Sequence, residues 1–245
     1  MSQATRHYDE LLARHYSWMN GLTLNEKIDE QKLLLAEAGL DDGPKDIAVD
    51  LGCGPGYQSF ALARLGYKTV IAVDASNALL AELEAARAGE HIRTVLADLR
   101  NFPTFVESGS VNAIICMGDT LTHLDERSDV TKLYRDAYAA LAPGGRFVLT
   151  FRDLSHEREG LDRFLPVRAD ERRIMTCFLE YEADHVVVND LIHVRDGEGW
   201  TFEKSRYRKL RLAPAEQAAE LERIGFTVDC DRQAGGLHMI SARKP

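Results

Sequence analysis

From residue 47 onward, apolar positions fall in short runs separated by stretches where they recur every three or four residues. The runs are 47–51, 69–73, 92–97 and 111–116, and the helix-period stretches are 57–65, 76–87 and 126–142. Short runs apolar on both faces, alternating with amphipathic helices, predict a parallel sheet covered by helices on both sides. Upstream, residues 6–38 keep helical spacing, with Ile28, Leu33, Leu34 and Leu35 set among charges until Gly39 ends the run and "DDGPKD" breaks the chain. The helix over 126–142 stops at "APGG", and "RFVLTF" follows as a fifth strand.

Beyond Phe151 the rhythm changes. Residues 172–182, 185–195 and 200–211 alternate with period two, and Asp184 and "DGEG" supply turns between them, so they read as antiparallel strands. A helix over 214–224 then opens at Pro214 and closes at Gly225, with strands at 226–230 and 237–242. The pattern is that of an α/β, doubly wound, mostly parallel sheet with a small antiparallel sheet inserted after its fifth strand.

Composition narrows the class. At 245 residues, one α/β domain with an elaboration is expected, and no apolar stretch approaches the roughly 20 residues of a membrane span. The first residues, "MSQATRHYDELLARHYSW", have no apolar core and carry acids that an export or transit peptide avoids, so a cytoplasmic protein is expected. Cys53, Cys116, Cys177 and Cys230 are scattered without a Cys-x-x-Cys pair, which argues for reduced thiols and against a metal knuckle. A net charge of -9 disfavours nucleic acid as a partner.

The chemistry concentrates at the ends of the runs. Gly52, Gly54 and Gly56 sit between a strand and a helix, where they let a ligand come close to the main chain. A dinucleotide fingerprint would need glycine where this chain has Tyr57, and Asp50 just ahead of the loop suits a positive centre better than two phosphates. Asp74, ending the second run, is placed to accept ribose hydroxyls, and Asp98, one run later, to meet an adenine amino group. Together these residues describe an adenosyl ligand.

With D-x-G-x-G-x-G at 50–56, an acid at 74, Ala97 with Asp98, and "LAPGGRFVLT", the chain resembles the class I, Rossmann-like S-adenosylmethionine-dependent methyltransferases. The resemblance implies a seven-stranded sheet whose last strand is antiparallel. It also implies S-adenosylmethionine as cofactor, S-adenosylhomocysteine as product, and cofactor contacts from Asp50, Gly52, Cys53, Gly54, Gly56, Asp74, Ala75, Asp98, Leu99 and Met117. Residues 1–43 would form a helical lid, 44–151 and 212–245 the cofactor domain, and 152–211 an inserted sheet on the acceptor side.

Within that class, "CMGDTLTHL" and "TFRDLSH" most resemble glycine N-methyltransferase and its sarcosine and dimethylglycine relatives. Arg152 matches by position an arginine that holds the substrate carboxylate there; the alternative is an ion pair with Asp153 or another acid. Asp119 stands where those enzymes have asparagine; it would repel an acidic substrate, favour a cation, or accept a proton, unless it only caps the following turn. His123 matches their histidine, and an N-terminal tyrosine of theirs points to Tyr8 or Tyr16. In the inserted segment Tyr181, Arg206 and Tyr207 are weaker candidates, because "SRYRKLRL" also reads as a solvated basic strand. The implied function is methyl transfer to a small-molecule acceptor, an amine rather than a hydroxyl, with an O-methyltransferase or a non-catalytic cofactor-binding protein as alternatives; a homo-oligomer is left open.

Overall fold

The computed structural model describes residues 6–245. Five parallel strands, β1 (Ile47–Leu51), β2 (Thr69–Asp74), β3 (Ile92–Leu96), β4 (Val111–Cys116) and β5 (Leu141–Phe151), lie in one sheet with β10 (Thr227–Ala234) and β11 (Leu237–Arg243). The order is β10-β11-β5-β4-β1-β2-β3, and β11 runs antiparallel to both of its neighbours. Because β1 pairs with β2 on one side and β4 on the other, the order reverses there, and such reversals open a crevice at the carboxyl ends of the strands. Val49, Leu51, Ile114 and Phe147 are buried on one face of this sheet and Ala48, Ala72 and Ile115 on the other, which accounts for the unbroken apolar runs.

The second sheet is wholly antiparallel, in the order β6 (Phe164–Ala169), β7 (Arg173–Tyr181), β8 (His185–Asp196), β9 (Gly199–Leu210). Strand β6 was not expected from the pattern. It carries Pro166, which has no N–H to give a ladder, and it sits at the sheet's edge, where that loss is tolerated. The "SRYRKLR" stretch is not a solvated strand on both faces: Tyr207 and Lys209 are buried while Arg206 and Arg208, which alternate with them, are exposed.

Other boundaries differ for local reasons. The expected helix over 6–38 is three pieces, a π-helical turn Tyr8–Leu12, a helix Ala13–Asn20 and a helix Leu24–Glu37. Gly21 ends the first helix in the left-handed region at φ 77°, and Thr23 with Glu26 starts the next with a reciprocal capping box. The helix Arg127–Ala140 ends before "APGG", because Leu141 already pairs with Val111 and the residues after it form an irregularity inside β5. The first five residues of the expected lid lie outside the described residues. Among the described residues no helix is long and apolar enough to cross a membrane.

Candidate functional site

Strand β1 turns into the helix Tyr57–Arg64 through residues 52–56, and Gly52, Gly54 and Gly56 all have positive φ. At Gly52 a side chain would run into Thr120, and at Gly56 a Cβ would lie 2.6 Å from Leu83, so both glycines are required by close packing. Gly54 differs: the nearest atom to its Cβ direction is Tyr16 Cε1 at 3.9 Å, and that side of the loop faces a cavity.

The loop's own donors are all engaged. The Gly52 and Cys53 N–H groups donate to the Val73 carbonyl at 2.8 and 3.1 Å, Gly54 N–H to Asp74 Oδ2 at 2.8 Å and Gly56 N–H to the Cys53 carbonyl at 2.9 Å, while Pro55 has none. A phosphate-binding turn needs such groups pointing outward. This one offers a close, neutral wall instead of an anion nest.

Three carboxylates surround the loop in different ways. Asp74 accepts from Gly54 and, at 2.8 Å, from the Ser76 N–H, so each oxygen keeps a lone pair for a hydroxyl in the cavity. Burial raises its pKa against the pull of those two backbone donors. Asp50, expected beside the ligand, is instead 1% exposed beneath the loop, accepts from Ser59 Oγ at 2.6 Å, and does not line the cavity. Burial pushes its pKa up to about 7, with Ser59 opposing. Asp98 lies on the cavity wall, but Arg100 holds both its oxygens, at 2.9 and 2.6 Å. That fork holds the Asp98 carboxyl below its ordinary value.

The cavity, of about 130 Å³, is also lined by Cys53, Ala75, Leu79, Leu99, Met117 and Leu124. A second cleft, of about 1040 Å³, opens between the N-terminal helices and the inserted sheet. Tyr8, Tyr16, Tyr57, Gln58 and Gly118 border both spaces, so the two meet at these residues.

Asp119 and Arg152 line the larger cleft, Tyr8 both, and His123 the smaller. Asp119 is in the left-handed region at φ 78° and buried; it is ion-paired with Lys209, accepts from the Arg152 backbone N–H at 2.9 Å and from Thr122 Oγ1 at 3.1 Å, and lies 3.5 Å from Arg152 Nε. Burial opposes its ionisation, but Lys209 and these donors outweigh it and hold the carboxyl below its ordinary range. The expectation of a free carboxylate that repels acids or takes a proton is therefore corrected: Lys209 on β9 neutralises it. Arg152 has that single ion-pair contact among the described residues, and 58% of its side chain is exposed.

Tyr8 Oη lies 3.4 Å from His123 Nε2. The rings of His7 and His123 stack on Tyr207, with centroids 4.3 and 5.2 Å away. Burial, then Lys209, lowers the His123 pKa to about 3, so its ring is neutral at ordinary pH. Lys209, Asp190 and Cys177 were missed as site residues by sequence reasoning. The available signal was parity: Asp190 and Lys209 occupy inward positions of β8 and β9, in rows that otherwise carry Val188, Ile192 and Tyr207. Tyr181 lines the larger cleft, whereas Arg206 is exposed and lines neither space.

Residues 48–145 match the family model described as a methyltransferase domain. Among curated proteins, the chain is 34% identical over 106 residues to a glycine/sarcosine N-methyltransferase of Halorhodospira halochloris, covering 43% of this chain and 39% of that one. It is 26% identical over 159 residues to an enzyme of the same name from Parasynechococcus marenigrum (strain WH8102), covering 64% and 56%. The chain thus spans about two fifths to just over half of the length of these two relatives. Among solved structures it is similar to the amino pentose methyltransferase CalS10 of Micromonospora echinaspora, solved with S-adenosylmethionine bound (TM-score 0.76, 18% identity, 95% and 96% coverage). It is also similar to the sugar N-methyltransferase KedS8 of Streptoalloteichus sp ATCC 53650 (TM-score 0.71, 15% identity, 94% and 91% coverage). At those identities the likeness is one of fold.

Proposed function

We propose that this chain, which belongs to the class I S-adenosylmethionine-dependent methyltransferases, methylates the nitrogen of a small-molecule amine. The observation that carries the reading is the glycine loop with every N–H already bonded, beside a carboxylate with lone pairs to spare. Such a loop has no N–H of its own left for a pyrophosphate and suits a nucleoside with a cationic centre. The residues fit that cofactor: Asp74 for the ribose hydroxyls, Leu79, Leu99, Met117 and Leu124 as apolar surface for the base, and Gly54 as the point of close main-chain approach. When bound, S-adenosylmethionine supplies an electrophilic methyl group on a positively charged sulfur.

The chain's own part is alignment and exclusion of water. Tyr8 and Tyr16, at the junction of the two spaces, present aromatic rings where a cation would stand. The N-terminal helices act as the cover and the inserted sheet as the acceptor wall. Arg152, half-exposed at the cleft, is the group for an anionic part of the acceptor. An amine is supported by the names of the relatives, which are N-methyltransferases of small molecules.

The test pairs binding with turnover. Calorimetry with S-adenosylhomocysteine is expected to give saturable binding that falls by roughly a hundredfold in Asp74→Ala, for the loss of two charge-assisted hydrogen bonds. In Arg152→Ala that affinity stays unchanged, while transfer of labelled methyl to a panel of amino acids and amino sugars falls. Wild-type affinity persisting in Asp74→Ala would remove the ribose assignment, and binding without transfer to any acceptor would leave a cofactor-binding protein.

A further inference from the structure

Strand β8 alternates cleanly, and its inward row reads Val186, Val188, Asp190, Ile192, all buried. One carboxylate in an apolar row is a conflict between local pattern and fold, and such conflicts gather at functional positions. Asp190 is 1% exposed and lines the larger cleft. Its Oδ1 accepts from Cys177 Sγ, directly across on β7, at 2.7 Å. Its Oδ2 has no aligned donor among the described residues. His7 Nε2 stands 2.9 Å from that oxygen but off the line of a hydrogen bond, because its ring is laid flat on Tyr207. Both His7 nitrogens are likewise buried without a hydrogen-bond partner.

A buried carboxylate oxygen short of donors is costly unless something fills the gap. Cysteine is a weak donor and leaves most of the negative charge in place. Of the cationic groups lining the cleft, Lys209 and Arg152 are turned to Asp119, Lys27 to Glu30 and Arg232 to Glu37, and among the described residues no lysine or arginine lies within ion-pair distance of Asp190. Asp190 is also near the junction of the two spaces: the His7 and Tyr8 ring centroids are 5.8 Å apart, and Tyr8 borders both.

Resting on the reading of the cleft as the acceptor side, we infer that Asp190 is the binding site for the acceptor's ammonium group and the residue that selects nitrogen over oxygen. An ammonium supplies the missing donors and the missing charge at once; an alcohol of the same size supplies one donor and no charge. His7 is a positioning residue: stacked on Tyr207, it closes the back of the site.

The probe is ethanolammonium chloride, compared with ethylene glycol, on the full chain saturated with S-adenosylhomocysteine and followed by ligand-observed and imidazole NMR. Ethanolammonium is expected to bind and shift the His7 ring resonances, and ethylene glycol to do neither. Asp190→Asn is expected to weaken ethanolammonium by roughly tenfold or more while leaving S-adenosylhomocysteine affinity intact, which also shows that the variant is folded. Asp153→Asn, an exposed acid of the same cleft, is expected to change neither. Equal binding of the two probes, unmoved His7 resonances, or full ethanolammonium affinity in Asp190→Asn would overturn the inference. Should the variant not fold, the wild-type comparison of probes and resonances decides alone. Failure of wild type to bind S-adenosylhomocysteine would instead strike the cofactor reading beneath it.

Discussion

Asp50 shows what one residue beneath a site does to the whole chain's response to pH. Its carboxyl titrates near 7 in the fold against 3.8 for an ordinary carboxyl, because burial penalises the charge more than the Ser59 hydroxyl relieves it. Between those values the folded state binds more protons than the unfolded one, so stability is lost as pH rises from about 4 towards 7 and is flat above. A shift of that size corresponds to about 4 kcal/mol. Asp50→Asn, which cannot ionise, is expected to abolish this decline: urea unfolding of variant and wild type should differ by about 2–4 kcal/mol more at pH 8 than at pH 4.5, in the variant's favour. A constant difference across that range would mean that Asp50 is solvated. The same chemistry explains why the residue sits under the glycine loop and not against the ligand: Ser59, one turn into the following helix, is its hydrogen-bond partner.

At the scale of elements, the helix Ala13–Asn20 is a strap between two bodies. Towards the inserted sheet, Trp18 donates to Asp170 at 2.5 Å, and the guanidinium groups of Arg173 and Arg168 lie 4.5 and 5.5 Å from its ring. Towards the main sheet, Ser17 lies 3.3 Å from the Tyr57 hydroxyl, and Asp9 in the preceding turn accepts from Ser76 at 2.7 Å. Trp18→Ala removes two cation–π contacts and a hydrogen bond, about 2 kcal/mol in all for partly exposed groups. Hydrogen exchange over residues 8–20 should therefore quicken by roughly thirtyfold with protection in β1 and β4 unchanged; unchanged exchange in the strap would show that its grip lies elsewhere. This strap also marks what the sequence made legible. Periodicity placed the central strands of the main sheet, because β1, β2 and β4 are buried on both faces, and it placed three strands of the insertion, because they alternate. It missed the break at Gly21, where a good C-cap and a capping box interrupt continuous helical spacing, and it missed β6, whose Pro166 masks an edge strand. In the site, the glycines and Asp74 were readable because the main-chain geometry demands them. Lys209 and Asp190 were not, since their meaning depends on which face of a later sheet meets the cleft.

For the molecule as a whole, the Asp119–Lys209 pair is where the two sheets are joined electrically, with one partner just after β4 and the other on β9. Both side chains are nearly buried, at 6% and 10% exposure, so the pair is judged by what happens when half of it is removed. Lys209→Met leaves a buried carboxylate with only the half-exposed Arg152 as a cationic neighbour and is expected to cost about 3 kcal/mol at pH 8. The pH dependence should reverse sign. In wild type the Asp119 carboxyl is held low, so its contribution is present above the unfolded value near 4 and is lost as pH falls through the folded one. In the variant the largest influence opposing burial is gone and only the weaker Arg152 and Thr122 contacts remain, so the carboxyl is expected to rise and the penalty to shrink as pH falls and Asp119 takes a proton. Adding Asp119→Asn to Lys209→Met removes the buried charge altogether, so the double variant is expected to be more stable than Lys209→Met alone at pH 8 and nearly equal to it at pH 4.5. Urea unfolding at the two pH values closes this cycle. A Lys209→Met penalty independent of pH and untouched by the second substitution would mean that the lysine joins the sheets through its packed methylenes and not through its charge.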